Sequence, residues 1–291
     1  VAECVRRSSF VAEMFLVMWW CYAQRLTLSR VGWSAQNYDR LQELLMRPVV
    51  SAHGRSPVAA FDADGTLWAG DAFGAFSDVL VQRGLVDEEA ARQVEVQYAR
   101  SEEQERQQWL LKSLTLFRGL RLEQLQDAAE EAWDSLSDTL RPEMADLVGC
   151  LQDAGWRVLI VTASPTEAVL CGAQELGVPE GDVLAVRLET TRGGVANGLP
   201  SPVMPLTWRE GKPLAIKAYG LAERLAFAVG NSMDDIPMLA SSRGACMLCV
   251  PRPKADPDPW SGAAEDTRRI TSLAYDRGFW LHEATCGPRD Y

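Results

Sequence analysis

The fold of this chain is set by residues 58–68, Val58-Ala59-Ala60-Phe61-Asp62-Ala63-Asp64-Gly65-Thr66-Leu67-Trp68. The apolar start of this segment predicts a short buried strand, and Gly65 lets the backbone turn after it. Side chains two residues apart on an extended segment point the same way, so Asp62 and Asp64 are expected to face one spot. Open α/β sheets place their chemistry at such a carboxyl end. The same pattern also occurs in surface turns, so these residues alone leave both interpretations open.

Length and charge restrict the class of protein. The 291 residues exceed a typical domain of about 100–200 residues, so one large domain or a core with an inserted domain is expected. A net charge of −11 without clusters of Lys and Arg argues against a nucleic-acid partner. The acidic surface also means that any phosphate site must supply its own positive charge. The seven cysteines are scattered, which favours reduced thiols in a cytoplasm over a disulfide framework.

Residues 1–57 do not share the pattern of the rest of the chain. Residues 10–23 are strongly apolar, yet they are fewer than the roughly 20 residues of a membrane span. Three interpretations stay open: an N-terminal extension outside the native fold, an amphipathic helix packed on the protein, or a signal or anchor segment. The length rule favours the extension and argues against a membrane. We therefore expect a chain that starts at Met46 to stay active.

Residues 71–149 predict an inserted all-helical domain. Apolar side chains recur there at spacings of three and four, as in Leu122, Leu125, Ala128, Ala129, Ala132, Trp133 and Leu136. Strand-like alternation is missing from this interval of the sequence. About four helices are therefore expected, inserted into a core made of residues 58–70 and 150–291.

The α/β pattern resumes after Pro142. Buried strands are predicted at residues 156–161, 183–188, 226–229 and 245–250, with helices between them and a hairpin near residues 193–198. Polar side chains follow these strands or open the next helix: Thr162, Lys212, Asn231, Asp234 and Asp235. Because the carboxyl ends of parallel strands share one edge of the sheet, these side chains are expected to form one site with Asp62 and Asp64.

Two of these residues also have plain structural explanations. Thr162 can donate to a phosphoryl oxygen without adding charge, and it can equally cap the next helix. Lys212 near a helix N-terminus opposes the helix dipole, which is tolerable when an anion lies between them. Lys217, one turn later, competes with Lys212 for that role.

The ordered set of motifs resembles the haloacid dehalogenase superfamily, in its phosphoserine-phosphatase-like branch, over residues 58 to about 250. Residues 62–66 match its Asp-x-Asp-x-Thr motif, Thr162 the second motif, Lys212 the third, and residues 230–235 the fourth. The resemblance implies an α/β fold with a Rossmann-like parallel-sheet core and an inserted all-helical cap. The cap, residues 71–149, would close over the substrate.

The resemblance also implies an activity. It is that of a Mg²⁺-dependent phosphatase which hydrolyses a small-molecule phosphomonoester through an aspartyl-phosphate. Asp62 would be the nucleophile and Asp64 the general acid and base. Thr162, Ala163 and Lys212 would hold the phosphoryl oxygens. The alternatives are a 2-haloacid dehalogenase, in which Asp64 would have no task, and a catalytically weak ligand-binding homologue.

The implied metal ligands are Asp62, Asp64, Asn231 and Asp235. Asn231 stands where the family pattern has an acid. An amide oxygen can ligate Mg²⁺, but the change removes one negative charge, and Asp234 or Asp235 can take its place.

The implied substrate residues lie at the start of the cap and inside it. Asp71 stands where phosphoserine phosphatases carry an acid that reads the amino group. Residues 108–114 lack the arginine that those enzymes use for the carboxylate, and only Lys112 is near. These residues favour a small phosphorylated metabolite other than phosphoserine, and the sequence carries no signal for the oligomeric state.

Overall fold

Six parallel strands form the central sheet of the computed structural model, which describes residues 27–46, 55–251 and 263–284. These strands are β1 Val58–Phe61, β2 Arg157–Pro165, β3 Val183–Val186, β6 Leu225–Gly230, β7 Ala245–Pro251 and β8 Trp280–Ala284. A separate antiparallel hairpin consists of β4 Leu188–Thr190 and β5 Ala196–Pro200. The order in the sheet is β3-β2-β1-β6-β7-β8.

Helices cover both faces of this sheet and build a separate layer above one end. They are α1 Ala35–Met46, α2 Ala72–Gln82, α3 Glu88–Arg100, α4 Glu103–Ser113, α5 Leu122–Leu136, α6 Pro142–Asp153, α7 Thr166–Glu175, α8 Gly211–Ala218, α9 Ile236–Ser241 and α10 Ala263–Arg277. One face packs against α1, α6 and α7. The other packs against α8, α9 and α10.

Strand β1 lies at the centre because its side chains suit burial on both faces. All four of its residues are inaccessible to solvent. Ala59 and Phe61 belong to one apolar cluster, and Val58 and Ala60 belong to the cluster on the opposite face. The strand pairs with β2 on one side and β6 on the other, where the strand order changes direction. Such a switch point opens a crevice at the carboxyl ends of the strands, and the predicted Rossmann-like core is confirmed.

The inserted cap consists of α2 to α5, but its borders differ from the prediction. Helix α6, which was predicted within the cap up to residue 149, packs against β2 and belongs to the core. The two connections between cap and core pair at Trp68 and Leu140. The cap also contacts strands, because the β4–β5 hairpin is hydrogen-bonded to it. The backbone N of Gly119 donates to the backbone O of Ala196 at 2.8 Å. Spacing within residues 71–149 carries no information about this later hairpin.

The described part of the N-terminal segment is packed on the core, which corrects the expectation of an extension outside the fold. Leu41 and Leu44 of α1 are buried in the apolar cluster under the sheet. Asn37 Nδ2 donates to Leu281 O at 2.8 Å, and the Trp33 ring lies 4.4 Å from the ring of His282. The segment therefore joins the C-terminal strand to the body of the protein.

The apolar residues 10–23 lie outside the described residues. Within the ranges that the structure describes, none of the helices is long and apolar enough to cross a membrane.

Candidate active site

One cavity of about 720 Å³ collects most of the predicted site residues. It lies between the carboxyl ends of β1, β2 and β6 and the cap helices α2, α3 and α4. The predicted residues that line it are Asp62, Asp64, Asp71, Thr162, Ala163, Lys212, Asn231 and Asp234. Two predicted residues are absent from its lining. Asp235 is fully buried beneath it, and Lys112 borders a neighbouring cavity, where its Nζ lies 4.3 Å from the centre of the Trp109 ring.

The turn after β1 places the two catalytic candidates. Asp62 N donates to Val229 O at 2.9 Å, which continues the pairing of β1 with β6. The amides of Thr66 and Leu67 donate back to Ala63 O. Gly65 has a φ of 75°, and a Cβ there would lie 2.1 Å from Nδ2 of Asn231. Only glycine therefore fits between the two aspartates and the fourth motif.

Asp62 shares a buried lysine with Asp235. Nζ of Lys212 donates to Oδ1 of Asp62 at 2.6 Å and to Oδ1 of Asp235 at 2.5 Å. The other oxygen of Asp62 accepts from Oγ1 of Thr66 at 3.0 Å. Lys212 comes from the first turn of α8, and its side chain is buried. The charge that the sequence places against a helix dipole is thus matched by two carboxylates.

Two carboxylates around one ammonium leave excess negative charge. Burial raises the pKa of Asp62 to about 7, and Asp235 adds to this while Lys212 opposes it. Burial disfavours the charged form of Lys212, but Asp235 and Asp62 outweigh that effect and raise its pKa. The lysine therefore stays charged, and the site as a whole favours a further cation.

Asp64 is held by three donors from different parts of the chain. Oδ1 accepts from Nε1 of Trp68 and from the backbone N of Ala72, both at 2.7 Å. Oδ2 accepts from Oγ of Ser164 at 2.5 Å. Burial raises the pKa of Asp64 to about 6, Asp71 raises it further, and the donors led by Ser164 lower it. A carboxyl group with such a pKa can hold a proton and return it near neutral pH.

The fourth motif is folded around Asp235. Its Oδ2 accepts from the backbone N of Asn231, the backbone N of Ser232 and Oγ of Ser232, each at 2.9 Å. Because its other oxygen accepts from Lys212, both oxygens of Asp235 are occupied by donors. This carboxylate therefore holds the loop and the lysine in place, and its part as a metal ligand stays a prediction.

The acceptor oxygens around Asn231 fit a small hard cation. With its amide nitrogen toward the site, Asn231 donates to Asp64 O at 3.2 Å and to Oδ2 of Asp62 at 3.1 Å. With the amide turned over, Oδ1 of Asn231 takes that place and accepts from Oγ1 of Thr66 at 3.3 Å, and it then faces two further acceptor oxygens, an arrangement that suits a cation between them. Among the described residues, no group of three or more His, Cys, Asp or Glu side chains is set to hold a metal. The carboxylate, backbone and amide oxygens at this point are hard donors of the kind that suits Mg²⁺.

Several residues that complete the site were not predicted. Ser164 lies two residues after Thr162, and its backbone amide donates to Oγ1 of Thr162 at 3.1 Å. The position of Ser164 on the same strand could have indicated it. Trp208 Nε1 donates to Oδ2 of Asp234 at 2.9 Å. Neither Trp208 nor the indole of Trp68 carries a spacing signal, because tertiary packing alone brings them to the carboxylates.

Comparison with known proteins gives one family and several similar folds. The sequence model of the haloacid dehalogenase-like hydrolases matches residues 59–240. The chain is 28% identical over 204 residues to the phosphoserine phosphatase of Halobacterium salinarum, a match that covers 68% of this chain and 88% of that protein. Its fold is similar to that of a protein of unknown function from Bordetella pertussis, with a TM-score of 0.63, 21% identity and coverage of 78% and 97%. A functionally unknown protein from Anaerococcus prevotii gives a TM-score of 0.65, 16% identity and coverage of 87% and 93%.

Proposed function

The chain belongs to the haloacid dehalogenase-like hydrolase family, and within it we propose a phosphatase that hydrolyses a small-molecule phosphomonoester. The observation that carries the proposal is Asp64, a half-buried carboxyl held by Trp68, Ala72 and Ser164 beside Asp62. An oxygen leaving group needs a proton, whereas a halide does not. The arrangement therefore favours phosphoryl transfer over dehalogenation, and the name of the Halobacterium relative agrees with it.

In the first step, a carboxylate oxygen of Asp62 attacks phosphorus and the bond from phosphorus to the leaving oxygen breaks. Asp64 gives its proton to that oxygen, so the alcohol leaves neutral. The product on the protein is an aspartyl-phosphate at Asp62. In the second step, the oxygen of a water molecule attacks phosphorus while Asp64, now ionised, takes a proton from that water. The bond from phosphorus to the oxygen of Asp62 breaks. Inorganic phosphate leaves, and both aspartates return to their starting forms.

Lys212 and Thr162 are proposed to hold the phosphoryl oxygens. An ammonium has three N–H donors, and two of those of Lys212 are used by Asp62 and Asp235. The third remains for an oxygen of the substrate. Thr162 and Ala163 line the same cavity. These contacts position the phosphorus in line with Asp62, which is the main task in phosphoryl transfer.

The proposed cofactor is Mg²⁺, held by the carboxylate of Asp62, the backbone carbonyl of Asp64 and the amide oxygen of Asn231. The chemistry that it supplies when bound is neutralisation of the charge shared by phosphate and carboxylates.

We also propose that the protein works in a cytoplasm. The free thiols of Cys150, Cys171, Cys246 and Cys249 support a reducing compartment.

Turnover of p-nitrophenyl phosphate with and without Mg²⁺ tests the proposal. We expect turnover that requires Mg²⁺ and falls on the order of 10³-fold or more in Asp62→Asn, because the amide is a poor nucleophile. Asn has nearly the same shape, so a thermal unfolding curve close to that of the wild type serves as the control. Turnover that survives Asp62→Asn would overturn the mechanism. Chloride release from a 2-haloacid without phosphatase activity would support the dehalogenase instead.

A further inference from the structure

Arg141 is a buried arginine that the proposed mechanism does not use. It lies between the cap and α6, its exposed fraction is 4%, and it is absent from the lining of the active-site cavity. Among the residues that the structure describes, Nε and Nη1 of Arg141 have no hydrogen-bond partner. Its Nη2 donates to the backbone O of Gly65 at 3.2 Å. Burial of a guanidinium with two unpartnered nitrogens is costly, so stability alone does not explain this arginine.

The contact with Gly65 joins the catalytic loop to the second connection between cap and core. Ala69 N donates to Thr139 O at 2.9 Å. Arg141 N donates to Leu67 O at the same distance. The two connections therefore form a short antiparallel ribbon, and Arg141 is its last residue before α6. Arg141 thus contacts the turn after β1 twice, through its backbone and through its guanidinium.

The peptide unit between Gly65 and Thr66 needs such a restraint. Gly65 has a φ of 75°, and a glycine restricts the rotation of the neighbouring peptide units less than any other residue does. The oxygen of this unit accepts from Arg141. Its nitrogen, the backbone N of Thr66, donates to Ala63 O at 3.0 Å. The peptide plane is therefore held at both ends, and loss of Arg141 would leave its oxygen without this donor.

Thr66 carries the orientation of that peptide to the nucleophile. Its Oγ1 donates to Oδ2 of Asp62 at 3.0 Å, and Thr66 is fully buried. Rotation of the peptide would turn the Cα–Cβ bond of Thr66 and move the hydroxyl away from Asp62. The carboxylate would then keep Lys212 as the donor to Oδ1 but lose Thr66 as a donor to Oδ2. Its plane would be less well fixed for attack on phosphorus.

On the premise of the phosphatase activity argued above, we propose that Arg141 is a positioning residue for the nucleophile. Arg141 holds the carbonyl of Gly65, which fixes the peptide between Gly65 and Thr66 and keeps the hydroxyl of Thr66 on Asp62. Arg141 does not touch the substrate, because it lies outside the cavity. It therefore acts on the rate of attack by Asp62 and leaves the binding of phosphate unchanged.

Arg141→Met tests this inference. The readouts are kcat/KM for p-nitrophenyl phosphate with Mg²⁺ and the inhibition constant of inorganic phosphate. Because a misplaced nucleophile attacks more slowly, we expect kcat/KM to fall about 10–100-fold. The inhibition constant should stay within about twofold of the wild type, since only an interaction that matters in the transition state is lost. The melting temperature should change little, because the variant loses one hydrogen bond but also removes two unpartnered buried nitrogens.

Arg224→Met is the matched control. Nε of Arg224 donates to the backbone O of Ser56 at 2.7 Å, so this arginine also binds a backbone oxygen, but near the amino end of β1. Its kcat/KM should equal that of the wild type. Arg141→Lys keeps a charged donor without the planar guanidinium, so it should lower kcat/KM about threefold or more, yet less than Arg141→Met does. If Arg141→Met does not fold, Arg141→Lys takes its place in every comparison.

A double-mutant cycle with Thr66→Val shows whether Arg141 acts through Thr66. Thr66→Val removes the hydroxyl that contacts Asp62, so Arg141 has no contact left to position. In that background Arg141→Met should lower kcat/KM by less than about threefold, because coupled residues are not additive. A loss as large as in the wild-type background would overturn the inference. So would a kcat/KM of Arg141→Met equal to that of the wild type, or a phosphate affinity that falls as much as kcat/KM.

Hydrogen exchange separates the inference from the activity on which it rests. The backbone amides of Thr66 and Leu67 both donate to Ala63 O. In Arg141→Met they should exchange about tenfold faster or more, whereas in Arg224→Met they should exchange as in the wild type. If the wild type turns over none of the phosphate esters, the proposed function fails, and this exchange still decides whether Arg141 holds the loop. Unchanged exchange in Arg141→Met would overturn the inference in either case.

Discussion

The edge of the core sheet and the wall of the cap hold their charged groups in opposite ways. At the sheet edge, Asp62, Asp64 and Asp235 are each held by hydrogen bonds of 2.5 to 2.9 Å, with Lys212, Ser164 and the amide of Asn231 as donors. In the cap, ion pairs such as Arg83 with Glu131 lie at the surface, and Arg92, which the cap contributes to the cavity lining, also forms an exposed pair, with Glu89. The sheet edge thus holds its charged groups in hydrogen-bond networks away from water, whereas the ion pairs of the cap are screened by it.

The largest effect is expected at Asp64, because its role at the sheet edge is chemical. Asp64→Asn should lower kcat/KM for an alkyl phosphate by about 10²–10⁴-fold, the usual contribution of a general acid. The loss for p-nitrophenyl phosphate should be smaller, since nitrophenolate leaves without a proton. The amide oxygen can still accept from Trp68 and Ala72, so the melting temperature should change little. Equal losses for both esters would contradict the role of Asp64 as the acid.

The next effect concerns the buried ion pair of the sheet edge. Lys212→Met should destabilise the fold by about 3–5 kcal/mol, because it leaves Asp62 and Asp235 buried without their cation. The measurement is the free energy of unfolding in urea. Lys217→Met, on the same helix but exposed, is the matched control and should stay within about 0.5 kcal/mol of the wild type. Equal free energies of unfolding for the two variants would show that the buried Lys212 stabilises the fold no more than an exposed lysine does.

A third effect tests whether α1 belongs to the core. Leu41 is fully buried, so Leu41→Ala should cost about 2–5 kcal/mol in the free energy of unfolding. Met46→Ala, in the same helix but 57% exposed, should have little effect. A chain that starts at Met46 would lack this packing and should be destabilised. If such a chain had the same free energy of unfolding as the full-length chain, the original expectation of a dispensable extension would hold.

The smallest effect is expected at the surface of the cap. Arg83→Ala removes the pair with Glu131, whose side chains are 34% and 50% exposed. Water screens such pairs, so the cost should be less than about 1 kcal/mol. Glu131→Gln should cost equally little. A loss as large as that of Lys212→Met would mean that this surface pair of the cap stabilises the fold as much as the buried ion pairs of the sheet edge do.

The residues that sequence reasoning could locate are those whose position follows from the backbone. Asp62 and Asn231 follow strands and Thr162 lies near the end of one, and parallel strands end at one edge of the sheet. The donors Trp68 and Ser164, which hold Asp64, depend on side-chain packing that spacing does not encode. The hydrogen bonds by which Asp235 holds the loop were likewise not predictable from its place in the motif.

Three larger features were also not predictable from the sequence. Strand β8 was not predicted, because its role as the edge strand beside β7 depends on pairing between distant segments. The same holds for α1, which is amphipathic but short, and whose partners lie near the other end of the chain. The cap helices were predictable from their spacing, but their contact with the β4–β5 hairpin was not.

The most direct test of the account is to find phosphate on Asp62. A substrate phosphomonoester is mixed with the protein and Mg²⁺, the reaction is quenched in acid within one turnover, and peptides are sequenced by tandem mass spectrometry. The account predicts a phosphorylated Asp62 in the wild type, more of it in Asp64→Asn if removal of the base slows hydrolysis, and none in Asp62→Asn. Turnover without a phosphorylated residue, or with phosphate on a residue other than Asp62, would contradict it.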